Sequence, residues 1–280
     1  MPGRPGRGLA WRPALASFIE QRTAAGELDF VEVLAEHVDL RRLPGPLVAL
    51  RDRGVPIVVH GLGLGLGGAT RPDRRRLRHL AACAEALRAP LVSEHLAFVR
   101  AGRLDSRHLL PVPRTAEALG VVVENVAEAR GSLPVPLALE NIATLLEWPD
   151  AEFGEADFLA EVVARTGVSL LLDVANLYAN ARNRGADPAA ALDRLPLDRV
   201  AYVHAAGGVD RDGFYRDTHC HPVPSAVLDL LAELARRAAP PAVLVEWDGR
   251  FPTDAELDAE RRAVTAAAGA APGPVPRVRP

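Results

Sequence analysis

Val168-Ser169-Leu170-Leu171-Leu172-Asp173 is an apolar run that ends on an acid, and the same design recurs along the chain. It appears in Val58-Val59-His60, Val92-Ser93-Glu94-His95, Leu137-Ala138-Leu139-Glu140-Asn141, Tyr202-Val203-His204 and Leu244-Val245-Glu246, and the loop Asp217-Thr218-His219 follows Tyr202-Val203-His204. Runs of Val, Leu and Ala mark strands buried on both faces, as in a parallel sheet. One such strand ending in His, Asp or Glu is ordinary. Six of them, with a loop, point to a single polar cup built from strand termini.

Working outward, strand patterns fall at 8–11, 28–34, 55–60, 90–95, 135–140, 168–173, 199–204 and 242–246. Helical patterns alternate with them near 13–24, 44–53, 71–88, 114–130, 155–166, 188–194, 225–238 and 254–268. Thr70 before Arg71-Pro72, and Asp187 before Pro188, suit helix starts with an early proline. Thr253-Asp254-Ala255-Glu256 has the form of a capping box. Strict alternation predicts an α/β fold, a (β/α)8 TIM barrel with its site at the C-terminal mouth of the strands. An open doubly wound sheet would instead gather ligands at one switch-point crevice. Residues 96–113 are long for a connection and are expected to form a hairpin over the mouth. Residues 1–270 are read as one catalytic domain. The proline-rich segment 271–280 is read as a disordered tail, and the first six residues as similar.

The 280 residues carry a formal charge of −3, which argues against a protein held to nucleic acid by phosphate contacts. Arg71-Pro72-Asp73-Arg74-Arg75-Arg76 is most simply a solvated helix face. Two cysteines, Cys83 and Cys220, are too few for a disulfide framework and fit a reducing compartment. No signal peptide and no run near the ~20 apolar residues of a membrane span are visible. A cytoplasmic protein without membrane contact is expected.

His60, His95, His204 and His219 are four of the eight histidines, and they sit at matching positions. With Glu140, Asp173, Asp217 and Glu246 they form a mixed imidazole and carboxylate set, which suits Fe, Mn or Zn better than Mg or Ca. So many donors exceed what one ion uses, so two or three metals sharing carboxylates are expected. Asn176 could ligate through its amide oxygen or hold the loop, and Asn141 is equally open. Glu94 should point away from the cup by strand alternation. Glu36 is a possible substrate contact at the end of strand two, near Glu32. Cys220 is read as a buried structural thiol and His221 as orienting a ligand. Trp247 and Asp248 could line the mouth, whereas His37, His79 and His108 are read as surface residues. The stretch Gly61–Gly68 fits neither a P-loop nor a dinucleotide fingerprint, and is read as a flexible loop of the site.

In these motifs the chain resembles the multinuclear non-heme iron-dependent oxidative enzymes, typified by the iron enzyme of methanobactin biosynthesis. The matching stretches are Val59-His60-Gly61, Val92–His95, Leu139-Glu140-Asn141, Leu172–Asn176, Val203–Gly207, Asp217–His219 and Val245–Asp248. The resemblance implies two or three irons, in mixed Fe(II)/Fe(III) states, with O2 as co-substrate. Carried over position by position, it implies His60, His95, Glu140, Asp173, Asn176, His204, Asp217, His219 and Glu246 as metal ligands. His95, Glu140, Asp173, His204 and Glu246 are the positions expected to carry the chemistry. It further implies a ribosomally made precursor peptide as substrate, oxidised at cysteine by default, and a partner protein that binds the peptide's leader. The chain departs from the family at Gly208, where many relatives carry His. The rival function is a divalent-metal hydrolase or isomerase on a related barrel, akin to a zinc endonuclease or a sugar isomerase. A non-catalytic metal-binding barrel is the third possibility.

Overall fold

A computed structural model describes residues 6–102 and 104–269. The tail expected at 271–280 and the first five residues lie outside the described residues. Eight parallel strands close into a barrel: β1 (Gly6–Ala10), β2 (Phe30–Leu34), β3 (Ile57–Gly61), β4 (Val92–His95), β7 (Leu137–Glu140), β8 (Ser169–Asp173), β9 (Val200–Ala205) and β12 (Ala242–Val245). Each pairs with the next along the chain, and β1 closes the ring by pairing with both β2 and β12. The TIM barrel read from the alternation is the fold.

Two antiparallel hairpins rise from the ends of barrel strands. β5 (Phe98–Ala101) and β6 (Leu104–Leu110) form the one expected after the fourth strand. The second, β10 (Gly208–Arg211) with β11 (Phe214–Asp217), is not apparent from the sequence, because its residues are polar and lack a clean alternation. It carries Asp217 to the mouth.

The helices among the described residues are α1 (Ala16–Ala24), α2 (Gly45–Asp52), α3 (Arg74–Leu87), α4 (Ala116–Ser132), α5 (Glu155–Thr166), α6 (Val174–Arg184), α7 (Pro188–Leu192), α8 (Ser225–Arg237) and α9 (Asp254–Ala267). Two expectations are corrected. The cap of α3 is Asp73, not Thr70, and its carboxylate accepts from Arg75 N and Arg76 N. Helix α6 is not expected from sequence, since Asn176, Asn180 and Asn183 are weak helix formers. Asp173 starts it by accepting from Asn176 N. Thr253 caps α9 in the expected capping box, and Asp187 caps α7 ahead of Pro188.

Strand alternation divides the buried side chains into two sets. Val31, Val59, Val92, Leu139, Leu172, Val203 and Val245 pack outward with the helices. Phe30, Val58, Leu91, Ala138, Leu171, Tyr202 and Leu244 form a separate cluster with Ala10, and fill the barrel. Gly8 has no side chain because the Phe30 ring occupies that space, 2.3 Å from where a Cβ would stand. The filled lower barrel makes a floor. Two residues further along each strand, the same inward face reaches the mouth.

Candidate metal centre

That two-residue step generates the site. From Ala10, Phe30, Val58, Leu91, Ala138, Leu171, Tyr202 and Leu244 it leads to Arg12, Glu32, His60, Ser93, Glu140, Asp173, His204 and Glu246. All eight strands thus deliver a polar side chain above an apolar floor, and His95 adds a further one two residues beyond Ser93. All nine side chains are buried.

Three donor groups follow one another across the mouth. His60, His95 and Glu140 form the first, Glu140, Asp173 and His204 the second, and Asp173, His219 and Glu246 the third, with donor atoms in each group within 4.8 Å of one another. Glu140 and Asp173 are each shared by two groups. Glu140 Oε2 lies 3.2 Å from both His60 Nε2 and His95 Nε2. His204 Nδ1 stands 3.3 Å from Glu140 Oε1 and 3.1 Å from Glu246 Oε2. His219 Nδ1 is 3.3 Å from Glu246 Oε2, and its Nε2 faces Asp217.

The backbone holds these groups in place. Asn141 clamps Asp173 at both sides of its peptide, accepting from Asp173 N and donating to Asp173 O, each at 2.9 Å. Asn176 donates its amide N–H to Asn141 O at 2.9 Å. His219 adopts a left-handed conformation with φ of 51°, uncommon for a residue with a side chain. Its N–H donates to Gly207 O and its carbonyl accepts from Asp248 N, which fixes the ring over Glu246.

The buried carboxylates and imidazoles shift one another strongly. Burial alone would raise the Glu140 carboxyl, but His95, His204 and His60 around it bring it down to about 2. Against the same burial, His219 and His204 hold Glu246 well below the usual carboxylate range. Asp173 goes the opposite way: burial, then the neighbouring Asp217 and Glu140, push it well above that range. Burial lowers His95, whereas Glu32, Glu140 and Glu246 overcome burial and raise His204. Glu140 Oε2, Asp173 Oδ2, Asn176 Oδ1, His204 Nδ1, Asp217 Oδ1 and both ring nitrogens of His219 are buried without a formed hydrogen bond. Buried polar atoms are normally satisfied. Orphaned oxygens and nitrogens converging on shared points fit metal ions, and the mixed donor set fits iron, manganese or zinc.

The structure brings together every candidate named from sequence: His60, His95, Glu140, Asp173, Asn176, His204, Asp217, His219 and Glu246. Glu94 faces outward as expected, accepting from Leu64 N and His95 N at 3.0 Å each. Glu36 borders the mouth cavity and accepts from Leu62 N at 3.0 Å. Other readings change. Cys220 is half-buried and makes no part of a donor group. His221 bonds Thr218 Oγ1 at 2.8 Å rather than orienting a member of the centre. His79 is half-buried against Ala35 O at 2.8 Å, and His108 is exposed but lines the mouth cavity. The glycine stretch is tied down rather than flexible. Arg100 donates to the carbonyls of Gly63 and Leu64, Asn125 to those of Leu66 and Gly68, and Gly67 N–H bonds Ala97 O.

Sequence reading missed Arg12, Ser93 and Tyr202, and did not assign Glu32 to the cup. Arg12 donates to Glu246 at 2.9 Å and to Asp248 at 2.6 Å. Tyr202 Oη lies 2.5 Å from Glu32 Oε2. The two-residue step from Ala10 and Phe30 would have found Arg12 and Glu32. At Gly208, a Cβ would lie 2.3 Å from Arg216 O and 2.8 Å from Tyr215 Cε1, while Gly208 N–H donates to Tyr215 Oη at 2.8 Å. The Tyr215 ring therefore fills the place that a side chain at 208 would need.

A closed parallel barrel with buried donor groups at its C-terminal mouth defines a TIM-barrel protein with a candidate metal centre. Within that class, the chain belongs to the family described as RiPP precursor modification enzyme MbnB/TglH/ChrH, matched over residues 6–269. It is 54% identical over 269 residues to a UPF0276 protein of Streptomyces avermitilis, covering 94% of this chain and 55% of that protein. The chain thus spans about half the length of that relative. A UPF0276 protein of Chromobacterium violaceum is 38% identical, with 97% of each chain covered. Among solved structures, endonuclease IV from Thermus thermophilus aligns with a TM-score of 0.60 at 23% identity, covering 94% of this chain and 99% of that one. An L-ribulose 3-epimerase aligns with a TM-score of 0.59 at 15% identity, covering 94% of each. At such identities these two show the shared fold alone.

Proposed function

We propose that the chain is a multinuclear non-heme iron oxidase that uses O2 to modify a ribosomally synthesised precursor peptide, with cysteine as the expected target. The observation that carries this reading is the run of three donor groups joined by Glu140 and Asp173. The first group, His60, His95 and Glu140, matches in residue types the two-histidine, one-carboxylate set of non-heme Fe(II) oxygenases, which supports the reading. Asp217 and Asn176 supply further oxygens beside the second and third groups. Two or three irons in mixed Fe(II)/Fe(III) states would be held there, and would supply the electron transfers that O2 needs.

The protein residues do the rest. Arg12 offsets the charge of Glu246 and Asp248 at the rim. The apolar floor excludes water beneath the centre. Above it, a cavity of about 800 Å³ reaches from His95, Asn176, Asp217 and His219 to the β5–β6 hairpin, with room for a peptide segment. The exposed large hydrophobic side chains among the described residues are Leu40, Leu104, Leu145, Leu146, Trp148, Phe214 and Phe251, and all lie in segments that follow barrel strands. Exposed apolar side chains in these mouth-side segments would suit a peptide and a leader-binding partner protein. No helix of the described residues is long and apolar enough to cross a membrane. Residues 1–270 acting as one catalytic domain in the cytoplasm complete the proposal.

The test is a search beside the gene for a short reading frame encoding a precursor peptide, co-expression with it, and mass measurement of the peptide with and without O2. A mass change that requires both iron and O2 supports the oxidase. Turnover with zinc or manganese in the absence of O2 would move the protein to the hydrolase or isomerase reading.

A further inference from the structure

We propose that Glu32 is a positioning residue which fixes the ring nitrogens that His60 and His204 turn toward the centre, acting through one buried hydrogen-bond chain. This rests on the metal reading above. The chain runs from His60 Nδ1 to Ser93 Oγ at 2.8 Å, from Ser93 Oγ to Tyr202 Oη at 2.7 Å, from Tyr202 Oη to Glu32 Oε2 at 2.5 Å, and from Glu32 Oε2 to His204 Nε2 at 3.0 Å. It passes under the mouth and joins a residue of the first donor group to one of the second. None of the five side chains is more than 1% exposed, so water offers their hydrogens no other partner.

Counting hydrogens sets the direction. A carboxylate only accepts. The single Tyr202 hydrogen therefore points at Glu32, and the Ser93 hydrogen must point at Tyr202. Ser93 Oγ is then left to accept, so His60 carries its hydrogen on Nδ1 and presents a bare Nε2 to the Glu140 side. On the other arm, His204 donates from Nε2 to Glu32, which leaves Nδ1, set between Glu140 and Glu246, as the nitrogen a metal ion would take in place of a proton. The reverse order would have Ser93 donate to His60 Nδ1, moving the His60 hydrogen onto Nε2, where it would block a metal. Only the negative charge of Glu32 ranks the two orders. His95 is set independently, since its Nδ1 faces the backbone carbonyl of Gly61 at 3.2 Å. It serves as an internal control.

The experiment is 15N NMR of histidine-labelled protein loaded with Zn(II), alongside Zn(II) titrations. The expected wild-type result is His60 bound through Nε2 and His204 through Nδ1. Glu32→Gln should disturb both rings, weaken zinc binding about 10- to 100-fold, and leave His95 unchanged. Tyr202→Phe should disturb His60 alone, which keeps the test open if Glu32→Gln does not fold. Wild-type rings bound through the opposite nitrogens, or Glu32→Gln rings unchanged with zinc bound, would overturn the inference. A wild-type chain that takes up no zinc, iron or manganese would overturn the metal reading and this inference together.

Discussion

Glu94 and Glu140 sit on paired strands, one register position apart, and both are 1% exposed. Yet their carboxyls behave in opposite ways. Glu94 turns out of the barrel, where its polar contacts are two backbone N–H groups. Burial first, and Glu36 second, push it up to about 7. Glu140 turns inward among three imidazoles, and despite the same burial it falls to about 2. Burial is common to both, so it does not make a ligand. The company that strand alternation provides does.

The largest effect expected from breaking this contrast is that of Glu140→Gln. Glu140 belongs to two donor groups, so the variant should lose more than one metal's worth of binding and show no peptide modification, measured by metal analysis and peptide mass. Glu94→Gln should keep its metal content. His95→Ala comes next. It removes one ring from the first group alone, so partial metal loss is expected while the third group, with His219 and Glu246, still loads.

A third prediction concerns pH in chelator-treated protein. The folded pKa of Glu94 lies above its ordinary value of 4.5, so its contribution to stability is full below that value and is lost as pH rises through about 7. Relative to Glu94→Gln, the wild type should lose about 3 kcal/mol between these limits, read by urea unfolding at pH 4.5 and 8. Glu140 has the opposite sign: its contribution is present above 4.5 and fades as pH falls through about 2. A wild type that gains stability on Glu94→Gln equally at both pH values would remove the contrast. The smallest effect is expected for Cys220→Ser, whose thiol belongs to no donor group among the described residues, and which should leave metal content and modification unchanged.

Much of the centre was legible because a parallel strand announces itself as an apolar run, and a ligand at its end interrupts that run. His60, Asp173, His204 and Glu246 are visible in this way. Glu32 was less so, because Val33 and Leu34 follow it and no turn marks the strand's end. Arg12 hides behind a short first strand, and an arginine after an apolar run does not suggest a metal site. Tyr202 reads as a core aromatic, and its hydroxyl acquires meaning only when β9 faces β2 across the barrel. The β10–β11 hairpin and helix α6 were hidden by polar composition. Their stability comes from contacts distant in sequence, such as Asn183 pairing with the Tyr215 backbone on both its N–H and its C=O.

The central claim is that strand ends of one barrel hold several metal ions joined by Glu140 and Asp173. The most direct measurement is the iron-to-protein ratio of the chain isolated without O2, by elemental analysis. The account predicts at least two irons per chain, falling by more than one in Glu140→Gln. A ratio of one or less in the wild type, at full iron supply, would contradict it.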